Sequence, residues 1–462
     1  MATETIDSHD KNDLQPLVPV LLGRIDELLA QVKALVEQNQ ALLARIAELE
    51  ARGEPPPQTP PKSPANSSLP PSSGQKANVA EPTAKKTRKG RPGVTRALCP
   101  SPDATRDIYA ERCTCGTPLA PADHMLAHAY DHIDLPVIQP VTTRINLHRG
   151  VCPCCKKRVA AKPPTDMAPG SPFGPGIVST VAYLHGSHMV SYSRLTEVFD
   201  GLFGVKVSEG AIANMLARSA EPFAAAADKI AETVRTSPVI ASDETSARVQ
   251  GRTHWQWVFA AAQAVYHTIA PTRGKVVPTE FLGDARPDVW ISDRLAAQGR
   301  HAEAHQYCLA HLIRDAQYAI DAGDTAFAPA FKAFLQKACS IGRRRAGLAD
   351  ATIKAHAREL RRELDRLLAL KPTHTAGNDL RASISVGARD KLLVFLTRRD
   401  VEPTNNISEQ ALRMSVIFRR VTNGFRSVWG AKAYADQRSI VATGRLHGRS
   451  PLLSLRQALA AA

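Results

Sequence analysis

The sequence predicts a multidomain α/β chain, and three observations carry that prediction. At 462 residues it is long enough for two or more cores. Two short apolar runs, Pro238–Asp243 and Asp288–Asp293, read as buried strands that each stop at Ser-Asp. Upstream, a heptad pattern, a Pro-rich stretch and two close-spaced cysteine pairs succeed one another as separate compositional blocks. A formal charge of +15 and an isoelectric point near 9.6 point to a polyanionic partner, nucleic acid first and a membrane surface second. No run of about 18 apolar residues is present to span a membrane, and the polar start MATETIDSHD is unlike a signal peptide. A cytoplasmic, nucleoid-associated location is therefore expected. In a reducing compartment the eight cysteines are expected to be metal ligands or buried thiols, not disulfides.

Residues 1–19 read as a disordered tail, and 20–52 as a coiled coil. There Leu21, Ile25, Leu28, Val32, Leu35, Asn39, Leu42, Ile46 and Leu49 alternate in steps of four and three, with Leu at every d position. β-Branched a positions with Leu at d favour two parallel strands, and Asn39 at an a position fixes register. An amphipathic helix packed on its own domain is the alternative. Residues 53–98 form a Pro/Ser-rich, basic linker that detaches this helix from the downstream chain. Within it Lys85, Lys86, Arg88, Lys89 and Arg91 are candidate DNA-binding residues. Their charges suit phosphate contact, Gly90-Arg91-Pro92 suits a narrow minor groove, and a solvated charge run is the bland reading.

Residues 99–165 form a zinc-finger-like segment. Zinc takes four thiolate or imidazole ligands in a tetrahedron, which Cys113, Cys115, Cys152 and Cys155 could supply from two turns. Ala129–Leu135 and Thr142–Val151 look strand-like. His124, His128 and His132, spaced by four, are a competing ligand set if that stretch is helical. Residues 166–236 are helical and helix-turn-helix-like, with Ser208 capping a second helix suited to a major groove; a core helical pair is the alternative.

Residues 237–310 carry the first part of the core. After Asp243 come a hairpin turn at Val249-Gln-Gly251-Arg, a strand over His254–Phe259, a strand over Tyr266–Ile269 and a short helix over Val276–Leu282. Three antiparallel strands, a helix and a strand parallel to the first open a ribonuclease-H-like fold. In a parallel pair Asp243 and Asp293 would meet at the strand ends, where a cation would relieve their repulsion. Turn formation or helix capping is the other reading of both acids. Such a fold needs a third acid on a later helix. Glu409 fits, with Asn405 or Asn406 capping its helix. Residues 311–398 read as a helical insertion, 399–430 as the second core part and 431–462 as a C-terminal helical segment. Cys308-x-x-His311 offers two ligands, too few for a structural zinc site.

These residues are similar to a known family. Asp243-Glu-Thr, Ser292-Asp-Arg294, Cys308-Leu-Ala-His311-Leu-Ile-Arg314 and Pro403-Thr-Asn-Asn-Ile-Ser-Glu-Gln-Ala-Leu-Arg413 resemble the DDE transposases of the insertion-sequence-66 family. So do Asn66-Ser-Ser-Leu-Pro-Pro-Ser-Ser73, Phe173-Gly-Pro-Gly176 and Val207–Asn214. Thr404 stands where the family carries an acid, Gln410 where it carries an Arg, and the Cys113/Cys115 gap is one residue instead of two. The resemblance implies Asp243, Asp293 and Glu409 as catalytic ligands of two Mg²⁺, with Mn²⁺ able to substitute. His311 lies near that site in the family, and Asn406 supports the Glu409 helix. It further implies a structural Zn²⁺, binding to element ends and target DNA, cleavage and strand transfer, and accessory proteins of the same element. The alternatives are a non-enzymatic zinc-finger regulator, an inactive remnant, and a nuclease that cuts without joining.

The coiled coil is directly testable. Asn39→Ile is expected to raise thermal stability and loosen the choice of oligomer. Sedimentation should find the parent protein self-associated at micromolar concentration; a monomer there contradicts the reading.

Overall fold

The computed structural model describes residues 17–51, 60–63, 65–67, 96–167 and 169–461. Lys85, Lys86, Arg88, Lys89 and Arg91, and the tail through residue 16, lie outside the described residues. Helix α1 runs from Leu17 to Ala51 without interruption. Its seam residues Ile25, Leu28, Val32, Leu35, Leu42 and Ile46 are all exposed. An apolar seam on an isolated helix gains nothing until another helix covers it.

In the cysteine segment, β1 (Arg149–Val151) and β2 (Arg158–Ala160) form a short antiparallel hairpin. This corrects the strand expectation. Ala129–Leu135 is not a strand, and Thr142–Val151 contributes only its last three residues. Tyr130, Ile133 and Leu135 are exposed, so these strand-forming residues have no layer to bury against. The stretch holding His128 and His132 is not helical either.

Three helices come next: α2 (Pro175–His188), α3 (Tyr192–Phe203) and α4 (Glu209–Arg235). Ser191 and Ser208 cap the last two, their hydroxyls accepting from the Arg194 and Ala211 amides. Leu195, Phe199, Ile212, Met215 and Phe223 form one apolar cluster with Ile440, Val441 and Leu455 from the far end of the chain. The start of α4 is thus half committed to a core, with Glu209, Gly210 and Asn214 on its exposed side.

The central sheet contains β3 (Val239–Val249), β4 (Arg252–Ala260), β5 (Val265–Ala270), β6 (Val289–Ser292) and β7 (Ala304–Tyr307). Their order is β5-β4-β3-β6-β7. The first three pair antiparallel, while β6 and β7 run parallel to β3. The hairpin turn has Gln250 at φ 50° and Gly251 at φ 76°, the backbone sense that matches strand twist. Helix α5 (Val276–Leu282) makes the crossover to β6. Alternation along the strands divides two cores. Ile240, Trp257, Phe259 and Trp290 face α5 and the end of α4; Ala241, Val258, Val289 and Ile291 face the opposite side.

That opposite side is covered by α6 (Leu309–Asp321), α7 (Phe327–Arg344), α8 (Asp350–Leu368) and α9 (Thr375–Gly387), built on Leu309, Leu312, Phe331, Phe334 and Leu360. Asn66, from the expected flexible linker, is buried against this layer. Its Nδ2 donates to Asp321 Oδ2 at 2.8 Å and its Oδ1 accepts from the Ser63 amide at 2.7 Å. The linker therefore has an anchor point beside α6.

The chain returns to the sheet as α10 (Asn406–Thr422), then ends with α11 (Val428–Leu446) and α12 (Pro451–Ala460). Helix α10 is fastened along β3 at three places. Asn405 Nδ2 donates to Ser242 O at 2.7 Å, Arg419 bonds Ser246, and Phe425 exchanges backbone bonds with Arg248 and Gln250 at 2.7 and 2.8 Å. Gly424 allows the last contact. It sits at φ +104°, and a Cβ there would stand 2.5 Å from Arg248 O. Gly424→Ala is expected to lower stability by roughly 1–3 kcal/mol, the usual cost of a strained backbone position. Chemical denaturation should show it as a lower midpoint at unchanged slope; an unchanged midpoint contradicts the clamp.

Candidate active site

Strand parity decides which acids can meet. Asp243 and Asp293 each lie two residues beyond the register pair Ala241↔Ile291, so both project to the α6/α10 face at neighbouring strand ends. Each is partly buried and accepts a local amide: Asp243 Oδ1 from Glu244 at 2.9 Å, Asp293 Oδ1 from Leu295 at 2.9 Å. Glu409 is in the first turn of α10, which crosses above β3. The structure brings all three predicted acids to one face.

Their electrostatics are unbalanced. Burial, then the nearby charges of Glu244, Asp293 and Glu409, push the Asp243 carboxyl well above the usual carboxylate range. Burial also raises Glu409, opposed by Arg314 and Arg413 and reinforced by Asp293. Glu409 Oε1 is buried without a hydrogen-bond partner, as is Asn405 Oδ1. Asp243 and Glu409, with raised affinity for protons, and the unpartnered Glu409 Oε1 suit a hard divalent cation, although the oxygens of Asp243, Asp293 and Glu409 do not all lie within 4.8 Å of one another. Asp243, Asp293 and Glu409 are the residues that would hold it.

The other acids nearby are already engaged. Glu244 points to the opposite face, where Oε1 accepts from Arg273 at 2.7 Å and Oε2 from Gln298 at 2.7 Å. Glu402, seven residues before Glu409, pairs with Arg345 at 2.8 Å. Asp315 pairs with Arg294 at 2.6 Å.

His311 Nδ1 lies 3.6 Å from Glu409 Oε1, and Arg314 Nη2 lies 3.9 Å from the same oxygen. Burial, with help from Arg314, brings His311 down to about 4, so the ring is neutral at pH 7. Cys308, at the N-cap of α6, accepts the Asn405 amide on its Sγ at 3.2 Å. Burial pushes that thiol up to about 11. Cys308, His311 and Glu409 offer donor atoms all within 4.8 Å of one another, the one such group among the described residues. Sequence alone assigns Arg314 no role at the site, although Cys308, His311, Arg314 and Asp315 recur at the spacing of a single helix face. The capping expectation also needs correction. Asn405 occupies the N-cap position, but its side chain reaches β3 instead of capping α10, and Asn406 is exposed on the first turn.

The four cysteines of the zinc expectation form two separate turns. Cys113 N donates to Thr117 O at 2.9 Å, and Cys152 N to Lys157 O at 2.9 Å. Cys115 is brought down to about 7 by the Thr117 hydroxyl and amide, and Cys152 is lowered by the Cys155 and Cys154 amides. The two turns are not gathered into one group of donors. His124 Nδ1 donates to Ala120 O, 2.9 Å away.

The crowding at Asp243 has a measurable consequence. A carboxyl whose folded pKa is raised costs stability above its ordinary range near 4, and the cost grows as pH rises through the raised value. Asp243→Asn is therefore expected to raise the melting temperature of metal-free protein at pH 7, with the gain fading toward pH 4. Added Mg²⁺ should stabilise the parent and leave the variant nearly unmoved. A variant that melts lower at pH 7 contradicts the repulsion.

No helix among the described residues is long and apolar enough to cross a membrane. No curated protein matches the chain. The family model described as "Transposase IS66 family" matches residues 170–433, a span holding the whole sheet, all three acids and the helices between them. On that match, over more than half of its length, the chain belongs to the IS66 family of transposases.

Proposed function

We propose that this transposase cuts DNA at the ends of a mobile element and joins the freed ends to target DNA, using Asp243, Asp293 and Glu409 as a divalent-metal site in a ribonuclease-H-like core. The convergence of three carboxylates, one of them strongly destabilised as an anion, on one face of the β5-β4-β3-β6-β7 sheet carries the reading. Two Mg²⁺, when bound, would lower the pKa of an attacking hydroxyl and stabilise the departing oxygen. Asp243 and Asp293 approach from adjacent strand ends and leave the solvent side open to phosphate. Glu409 approaches from α10 and holds the third corner. His311, neutral and beside Glu409, can accept a hydrogen bond from the attacking water or 3′-hydroxyl. Arg314 and Arg413 limit the negative charge around Glu409, which a phosphodiester must approach.

In the first reaction water oxygen bonds to phosphorus, the bond to the 3′-oxygen breaks, and that oxygen leaves with a proton as a 3′-hydroxyl. In the second this hydroxyl bonds to a target phosphorus and displaces a target 3′-oxygen. One phosphodiester is exchanged for another, so no ATP and no covalent protein–DNA link are needed. The exposed seam of α1 suits pairing of two chains, which would hold two element ends together. The basic stretch over Lys85–Arg91 suits phosphate contact. The Cys113/Cys115 and Cys152/Cys155 turns, in which the Cys115 and Cys152 thiols are lowered in pKa, carry the ligands proposed for a shared structural zinc.

Strand-transfer assays on DNA flanking the gene test the chemistry. Asp243→Asn, Asp293→Asn and Glu409→Gln should each abolish cutting and joining while DNA binding persists, and double variants should be no worse than single ones. Mn²⁺ should replace Mg²⁺. Glu402→Gln should cut within a few-fold of the parent; an inactive Glu402→Gln beside an active Glu409→Gln moves the third acid. For the finger, metal analysis of protein purified without chelator should find about one zinc per chain. A Cys113→Ser/Cys152→Ser double variant should lose it, and unchanged zinc in that variant defeats the assignment.

A further inference from the structure

We propose that Cys308, His311 and Glu409 form a second, inhibitory site for a soft divalent cation, zinc above all, whose occupation takes Glu409 away from the carboxylate cluster. The three side chains come from different chemistry than the acids around them. A thiol, an imidazole and a carboxylate, with donors within 4.8 Å of one another, suit zinc or cobalt and not magnesium, which keeps to oxygen. Two of the donors are unsatisfied: His311 Nδ1 and Glu409 Oε1 are buried with no hydrogen-bond partner, although they stand 3.6 Å apart. The third, Cys308 Sγ, is met by the Asn405 amide. Zinc–ligand bonds of about 2.0–2.3 Å place neighbouring donors roughly 3–4 Å apart, so closing the site needs side-chain shifts of about an ångström.

The site is reachable yet sheltered. The Glu409 side chain is 36% exposed and that of His311 14%, whereas Cys308 is buried, so an ion would enter from the carboxylate side. Binding replaces the thiol proton, which is released, and sets a thiolate and a carboxylate against the ion's two charges. Arg314, 3.9 Å from Glu409 Oε1, weakens the affinity without occupying the thiol or the imidazole. With three protein ligands the ion keeps an open fourth position, and Glu409 can no longer serve the Asp243/Asp293 site. The inhibitory half of this inference rests on the proposed role of Glu409; the binding half does not.

The test uses full-length protein first given one equivalent of zinc to fill the finger cysteines. Titration with Co²⁺ should then add a thiolate-to-cobalt absorption band in the near ultraviolet, of one further equivalent. The band should vanish in Cys308→Ser and, independently, in His311→Gln. In Mg²⁺-dependent cleavage, excess Zn²⁺ should inhibit the parent, and Cys308→Ser, measured against its own zinc-free rate, should need at least tenfold more Zn²⁺ for the same fractional inhibition. A band that survives in both variants overturns the site. A band that vanishes while Zn²⁺ sensitivity stays unchanged overturns the inhibition. If Glu409→Gln proves fully active in cleavage, the proposed catalytic role fails, while loss of the cobalt band in Cys308→Ser still stands for the site.

Discussion

The hydrogen bond from Asn405 to the carbonyl of Ser242 is the contact on which the rest of this site depends. Asn405 has no exposed surface, and it joins the residue before Asp243 to the start of the helix that carries Glu409. The acids of β3 and α10 are separated by more than a hundred residues of chain, so no local preference sets their spacing. One buried amide on one backbone carbonyl does. The Asn405 backbone amide in turn rests on Cys308, which ties the start of α6, and with it His311 and Arg314, to the same point. Three elements are thus fixed to one another within a single buried cluster. Further along α10, Arg419 and the Gly424–Phe425 bend hold the helix against its support, so it cannot pivot about Asn405.

Fixing like charges together has an electrostatic cost, and the surroundings are arranged to confine it. Glu244 and Asp293 would add to one another across the sheet, but strand parity sends Glu244 to the far side, where Arg273 and Gln298 take its two oxygens. Gln298 in turn accepts from the Trp290 indole at 3.0 Å, so that carboxylate is built into the second core. Glu402 and Asp315 have arginine partners of their own. Of the acids around the β3 and β6 strand ends, Asp243 and Asp293 are left without an ion-pair partner among the described residues, and Glu409 has only Arg314 at 3.9 Å. A cluster of like charges held together by the fold in a partly buried position marks a candidate site for an ion of opposite sign.

Much of the core was legible because period and composition agreed there. The runs ending at Asp243 and Asp293 are apolar on both faces, as strands covered on both sides must be, and Gln250-Gly251 has turn chemistry no helix would tolerate. Helix α5 was readable to the residue. The fifth strand was not, since Ala304-His-Gln-Tyr is polar. Its Gln306 is buried only because it accepts from the Phe395 amide at 3.1 Å and donates to Leu392 O at 3.1 Å, partners far away in sequence. The role of Asn405 was hidden for the same reason. An Asn before a helix reads as a cap, and only tertiary structure reveals that its amide is spent on another strand. Around the cysteines the reverse occurred: Ala129–Leu135 looks strand-like in sequence but has nothing to pack on. The anchoring of Asn66 on Asp321 likewise lay beyond any reading of a Pro/Ser-rich stretch.

Asp243, Asp293 and Glu409 all lie within the span matched by the family model, and where a divalent ion sits decides whether they act together. Crystals of the full chain soaked in Mn²⁺ and measured at the manganese absorption edge test it most directly. Anomalous peaks are expected against the carboxylates of Asp243 and Asp293, with Glu409 on the same group of ions. Manganese bound at Glu402 or Glu244, or no ordered manganese at the Asp243–Asp293 strand ends, contradicts it.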